Sequence, residues 1–368
     1  MPPSRSKLIL CSLLVFAVLL LIFPSHKAYV SYTTSQLSPS SSTIKPNAVI
    51  FMLLPPSRVH QAILALYNVE NRFNRRLKYP YVLFMTEDEL AAVSNEDKKK
   101  IDWITEGRAK FATVTKESWD IPSHLDKSLV QHSLESIGFS TGYRQMCRFY
   151  SGFFWRNPAI ANYEWLWRLD TDIEFHCDIP YDPVQRLIDS NKLYGFIQIS
   201  PDADFVQPSL ASNASYFLST HSHIIPPNAN LGFVWSGQSG IKKALQGQAS
   251  NPEWTRMCMY NNFEISHRSV WESEVYTKFF DYLEQEGGFF YERWSDSPVH
   301  SLGLAMSLRK DQVMQFTDMG YQHQGWGYEC PQQLDRCTCL REGPAKGFHD
   351  NAERWFNATE LQADSWGT

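Results

Sequence analysis

Residues 163–175 read YEWLWRLDTDIEF. In an extended chain Trp165, Trp167, Leu169, Ile173 and Phe175 fall on one side, and Glu164, Arg168, Asp170 and Asp172 on the other, because strand side chains alternate. The segment reads as a buried strand that brings two carboxylates, Asp170 and Asp172, to one face at its end. Carboxylates that close repel unless a cation lies between them. Magnesium and manganese take one or two carboxylates together with substrate phosphate oxygens. A D-x-D at the end of a strand is thus a device for holding a metal and a diphosphate. The pattern is common, and an Asp-rich turn is the ordinary alternative; the aromatic strand in front of it and the α/β surroundings favour the metal.

Those surroundings alternate strands with helices. Asn47 to Leu54 is a short apolar run closed by Pro55-Pro56, and Tyr81–Met85 and Ala109–Val114 are two more. Gln61 to Phe73 has helical periodicity. Strand-helix-strand order with short links predicts a parallel, doubly wound sheet with its ligand site beyond the carboxyl ends of the strands. Neither G-x-G-x-x-G nor G-x-x-x-x-G-K-[ST] occurs, which disfavours dehydrogenases and P-loop enzymes. Just before the D-x-D strand, Met146, Tyr150, Phe153 and Phe154 mark the core side of a helix beginning near Thr141. Arg144 and Arg148 share another face, either as a solvated basic pair or as a clamp for a diphosphate.

After it, Asn261-Asn-Phe-Glu264 precedes a helix expected over about 268–286 that stops at Gly287-Gly288. Phe289 to Asp296 concentrates aromatics with Glu292, Arg293 and Asp296, and His300 follows. Met319-Gly-Tyr-Gln-His323 puts a histidine after a tight turn. Each histidine taken singly is more often structural than a ligand.

The chain has 368 residues and a formal charge of −5, without a long Lys/Arg block, so nucleic acid is not an expected partner. Leu8 to Phe23 is apolar apart from Ser12 and follows Arg5 and Lys7, which reads as a short signal-anchor with its N-terminus in the cytosol. A cleaved signal peptide competes, but no A-x-A-like site follows. Residues 31–47 are rich in Ser, Thr and Pro and cannot bury a core. The expected organisation is a cytosolic tail at 1–7, a transmembrane helix at 8–23, a stem at 24–46 and a lumenal catalytic domain at 47–368. Sequons at Asn213 and Asn357 agree with a lumenal domain. Six cysteines outside the span permit three disulfides with unreadable connectivity. The Cys330, Cys337, Cys339 grouping lacks a histidine at zinc-ligand spacing.

The segments YRQMCRFYSGFF, YEWLWRLDTDIEFHCDIPYDP, NNFEIS, YLEQEGGFFYERWSDSPVHSLGLAMSL and DMGYQHQGWGYECP occur in this order. Together they resemble the fungal α-1,2-mannosyltransferases of glycosyltransferase family 15 over roughly residues 47 to 331. The resemblance implies a GT-A-like α/β fold with a mixed central sheet flanked by helices, a type II anchor in the Golgi membrane, and retaining transfer of mannose. It implies GDP-mannose as donor, Mn2+ as cofactor and a mannose-terminated glycan as acceptor. Matched by position, Asp170 and His323 would be metal ligands. Asp172 would be a further ligand or a group behind them, next to the donor. Glu264 would be the carboxylate proposed as nucleophile, and Arg144 and Arg148 would assist the diphosphate. Tyr291, Glu292, Arg293, Trp294 and Asp296 would meet the donor or acceptor sugar.

The chain departs from the family at Thr171, where the family has Pro, and at Asp170, where it has Glu. It also departs at Met259-Tyr260-Asn261 and at Leu54-Pro-Pro-Ser57, and residues 200–255 do not align. Two other functions compete: a catalytically weak, membrane-anchored glycan-binding protein, and a transferase of another nucleotide sugar such as GDP-fucose or UDP-galactose.

Overall fold

A computed structural model describes residues 45–324, 326–331, 335–339 and 353–360. The expected tail, membrane span and most of the stem lie outside the described residues. Among the described residues no helix is long and apolar enough to cross a membrane.

Twelve strands are described: β1 Ala48–Leu53, β2 Tyr81–Met85, β3 Ala109–Thr113, β4 Trp165–Leu169, β5 Ile173–Phe175, β6 Tyr194–Phe196, β7 Ile199–Pro201, β8 Met257–Met259, β9 Phe263–His267, β10 Val313–Gln315, β11 Tyr321–His323 and β12 Trp326–Glu329. Seven form the central sheet, in the order β10-β6-β9-β4-β1-β2-β3. β1 pairs in parallel with β2 and β4, β2 with β3, and β6 with β10; β9 runs antiparallel to both β4 and β6. The all-parallel sheet expected from strand-helix alternation is therefore mixed, because one strand is reversed. That strand carries the Asn-Phe-Glu motif and enters only after the long 200–255 excursion, which releases it from the right-handed crossover that keeps βαβ strands parallel.

Both faces of the sheet are buried, which is why β1 (AVIFML) and β4 (WLWRL) read as nearly unbroken apolar runs. Val49, Phe51, Leu166, Tyr194 and Phe196 face one core with Phe154, Trp271 and Phe280. Ile50, Met52, Trp167, Leu169, Phe263 and Ile265 face the other with Leu66, Phe73 and Phe175. Phe73 stacks on Trp167 at 4.8 Å, and Phe175, Phe263 and Tyr321 meet edge-on or tilted beneath the end of β4. Such ring pairs add about 0.5–1.5 kcal/mol each beyond area burial.

The expected single extended segment at 163–175 is broken: β4 ends at Leu169, the chain turns through Asp170-Thr171-Asp172, and β5 joins β11 and β12 in a separate three-stranded sheet. The expected helix at 268–286 is two, Arg268–Trp271 and Glu274–Glu286, the second capped by Ser273 and ended by Gly287 at φ 72°. The helical region expected at 61–73 is a helix over Val59–Val69 followed by a wider turn at Glu70–Asn74. Residues 200–255 contribute the Leu210–His221 and Gly237–Leu245 helices, and Phe217 packs on Phe279 at 5.2 Å.

Two disulfides form, Cys177–Cys337 and Cys330–Cys339, while Cys147 and Cys258 are buried free thiols. The third expected bridge is absent: Cys147 sits on the Thr141–Arg148 helix and Cys258 in the short β7–β8 ladder, each enclosed by its own element's packing.

Candidate active site

The site lies at the carboxyl ends of β1 and β4, which are parallel neighbours. The turn after β4 carries Asp170 and Asp172. Directly behind it β5 pairs with β11 so that His323 stands opposite Ile173. This register, pinned by Gln324 N donating to Asp172 O at 3.0 Å, brings His323 back from 151 positions away in sequence. His323 Nε2 lies 3.2 Å from Asp172 Oδ1 and 3.9 Å from Asp170 Oδ2. One ligand atom from each of Asp170, Asp172 and His323 falls within 4.8 Å of the others. The resemblance-based ligand set is thus assembled.

The three side chains fit a divalent ion. His323 Nε2 is buried and makes no hydrogen bond, an orphaned atom of the kind a ligand satisfies. His323 Nδ1 lies 3.2 Å from Asn262 Nδ2, and Asn262 Oδ1 accepts from Tyr321 OH at 2.7 Å, so the ring's orientation is set from behind; ligation through Nε2 would put the proton on Nδ1 and call for the carboxamide to turn its oxygen to it. Burial raises the Asp170 carboxyl above its usual pKa, and the neighbouring Asp172 adds to this against the pull of Arg168 and His323. Burial alone would also raise Asp172, but His323 and Arg58 outweigh it and hold its pKa at about 2. Two carboxylates and one imidazole match the oxygen-rich sets that manganese and magnesium take.

Behind these ligands lies a buried charge network. Arg168, on β4 and 2 % exposed, donates to Asp170 Oδ1 at 3.1 Å and Asp296 Oδ2 at 2.6 Å, with its guanidinium 3.4 Å from the centre of the Tyr150 ring. A charged residue inside a central strand needs partners of this kind, since removing one from a buried pair costs about 3–5 kcal/mol. Burial would raise Asp296, but Arg168 and His300 prevail and its pKa lies below the usual carboxylate value. Asn261 Nδ2 donates to Asp296 Oδ2 at 3.0 Å.

Glu264 stands opposite Arg168 across the β4–β9 ladder. It precedes the Arg268–Trp271 helix, as the sequence indicates, and lies within strand β9, 1 % exposed. Its Oε2 accepts from Tyr194 OH at 2.8 Å and faces His300 Nδ1 at 3.0 Å, while Oε1 has no hydrogen-bond partner.

Several expected site residues are otherwise employed. Arg144 is neither solvated nor free for a phosphate: it is fully buried and donates to the carbonyls of Ser133, Gly138, Phe290 and Glu292. Arg148 is held by Glu284 at 2.5 Å and by the carbonyls of Glu117 and Asp120. The face of their helix that carries both arginines and Cys147 is turned into the protein, a fact that charge spacing does not reveal. Tyr291 OH accepts from Asp126 N, and Glu292 Oε2 accepts from Trp294 Nε1 at 2.8 Å and Ser209 N at 3.2 Å. Trp294 is 1 % exposed and packs on Gly288. Arg293 lies 4.8 Å over the Phe139 ring and 3.6 Å from Asp202. Of this aromatic segment, only Asp296 reaches the network of the site. Asn357 is exposed, whereas the Asn213 carboxamide is occupied by Ser209 O and Tyr282 OH within a helix.

Arg58, Asn262, Tyr150 and Tyr194 escaped the sequence reading as members of the site. Arg58 comes from the turn after β1 and reaches Asp172 Oδ2 at 2.5 Å across 114 positions of sequence; no local pattern announces such a contact.

A model of the family described as glycolipid 2-alpha-mannosyltransferase matches residues 25–359. The chain belongs to this family. It is 34% identical over 321 residues to O-glycoside alpha-1,2-mannosyltransferase homolog 3 of Schizosaccharomyces pombe, a match spanning 84% of this chain and 81% of that protein. It is likewise 34% identical over 314 residues to alpha-1,2 mannosyltransferase KTR1 of Saccharomyces cerevisiae, spanning 81% and 75%. Among solved structures it resembles the Mn/GDP form of core-mannan synthase A (CmsA/Ktr4) from Aspergillus fumigatus, with a TM-score of 0.73 at 28% identity over 84% of this chain and 82% of the other. The family's α/β architecture, a mixed sheet flanked by helices, is the one described above, and residues 200–255 fall inside the family match.

Proposed function

We propose that this family member is a retaining α-1,2-mannosyltransferase that moves mannose from GDP-mannose to a mannose-terminated glycan. We place it in the Golgi lumen, with a GT-A-like catalytic domain behind a type II anchor at residues 8–23 and a stem. The observation that carries the chemistry is the convergence of Asp170, Asp172 and the unbonded Nε2 of His323 at the carboxyl end of β4. The Mn/GDP form of the related core-mannan synthase A supports the choice of metal and nucleotide. The exposed Asn357 supports the lumenal assignment.

Asp170, Asp172 and His323 would hold Mn2+. When bound, the ion supplies Lewis-acid stabilisation of the negative charge that grows on the departing diphosphate. Arg168 keeps Asp170 oriented. Glu264, with Oε2 engaged by Tyr194 and His300 and Oε1 unengaged, supplies negative charge to the oxocarbenium-like centre of the donor sugar. Retention then proceeds by two inversions through a glycosyl ester of Glu264 or by front-face attack beside it. Manganese-dependent mannose transfer from GDP-mannose to an α-mannoside by the full chain, with linkage analysis of the product, tests the reading. Nucleotide binding without transfer would make it a glycan-binding protein, and transfer only from another nucleotide sugar would overturn the donor.

A further inference from the structure

We propose that Arg58 is a binding residue for the diphosphate of the nucleotide donor and that Asp172 holds it in place for that task; this rests on the donor and metal reading above. Arg58 closes the short Pro56–Arg58 turn that follows β1, and the Asp170–Asp172 turn follows β4. Because β1 and β4 are parallel neighbours, these turns lie side by side in the crevice outside the strands' carboxyl ends, where α/β sheets bind their ligands. Pro55 and Pro56 restrict the backbone leading to Arg58.

The contact with Asp172 divides that carboxylate between two tasks. Oδ2 accepts from Arg58 Nη1 at 2.5 Å, while Oδ1 faces His323 Nε2 at 3.2 Å. A metal ligated on the His323 side would therefore leave the Arg58 contact intact, with the guanidinium next to the residues that would hold it. Among the described residues, two arginines touch the carboxylates of this cluster. Arg168 is 2 % exposed and holds both Asp170 and Asp296 from inside the sheet, whereas the Arg58 side chain is 43 % exposed and, among the described residues, only its Nη1 has a hydrogen-bond partner. Its remaining N–H groups form a planar fork, the geometry that suits phosphate oxygens. Arg144 and Arg148 are consumed by internal carbonyls and Glu284, so they cannot serve in its place.

The test compares wild type, Arg58→Gln and Arg58→Lys as full-length protein in three calorimetric titrations: Mn2+ alone, then GDP and GMP each in saturating Mn2+. The expected result is a loss of roughly ten- to a hundredfold in GDP affinity for Arg58→Gln, the weight of charge-assisted hydrogen bonds. Arg58→Lys should lose less, GMP should lose clearly less than GDP, and Mn2+ affinity should stay within about threefold. Equal losses for GMP and GDP, or unchanged GDP binding, overturn the assignment. A fall in Mn2+ affinity that matches the fall in GDP affinity also overturns it, since Arg58 would then serve Asp172 alone. A wild type that binds Mn2+ but no guanine nucleotide brings down the donor reading itself and is told apart by that first column of data.

Discussion

His300 Nδ1 lies 3.0 Å from Glu264 Oε2, and His300 Nε2 lies 2.7 Å from the carbonyl of Tyr150. A carbonyl only accepts, so Nε2 carries a proton; Nδ1 faces both the Glu264 carboxylate and, at 3.2 Å, the Asn261 Nδ2 donor. His300 and Glu264 are both essentially inaccessible to water. Losing His300 would leave the Glu264 carboxylate buried with Tyr194 alone, so His300→Ala should cost about 3–5 kcal/mol in urea unfolding. In the Glu264→Gln background the same change should cost at least about 1 kcal/mol less. Zero coupling in that cycle would show that the two groups do not stabilise one another.

Glu264→Gln separates chemistry from binding. It keeps the size and most hydrogen bonds of Glu264 and removes its charge. An interaction made in the transition state lowers kcat more than donor affinity, and a positioned catalytic group is worth about two to four powers of ten. Near-normal turnover in this variant would hand the role to another carboxylate, with Asp296 the nearest candidate by its bond to Arg168.

His323→Ala should abolish Mn2+-dependent GDP binding and leave the thermal transition nearly unchanged. The partial exposure of His323 and the missing bond at its Nε2 mean that folding gains little from that atom. A large drop in Tm would identify His323 as a structural residue instead.

Asp296 gives the stability a defined acid dependence. Its folded pKa lies below the ordinary value because Arg168 and His300 outweigh burial. A carboxyl lowered on folding stabilises the protein above its unfolded pKa, about 3.9, and the contribution disappears as pH falls through the lower folded value. The stability difference between wild type and Asp296→Asn should therefore be full at neutral pH and shrink below about pH 4. A difference that stays constant across that range would remove Asp296 from the ionised network.

Cys147 and Cys258 should resist alkylation in the native protein and react once it is unfolded without reductant. Burial pushes both thiols well above their usual pKa, and the reactive form is the thiolate. Native-state labelling at either position would place it at the surface.

Local chemistry made much of this protein legible. Strands β1, β2 and β4 are short apolar runs because both faces of their sheet are buried there, and burial writes itself into composition. The D-x-D turn is visible because its two carboxylates close an aromatic strand in α/β surroundings, a context that the common pair alone does not supply. The Asn-Phe-Glu and Gly-Tyr-x-His segments were recognised by resemblance, and the second carries His323 to the Asp170–Asp172 turn. Tertiary structure alone decided the rest. Whether an arginine faces solvent, carbonyls or a carboxylate depends on what the other elements bring to it, so Arg144 and Arg148 turned inward while Arg58 reached Asp172. The reversal of β9 set Glu264 opposite Arg168, and the β5–β11 register carried His323 to Asp172. Periodicity records which face of an element is buried; it holds no information about the partner that buries it, because pairing is chosen by the packing of the whole chain.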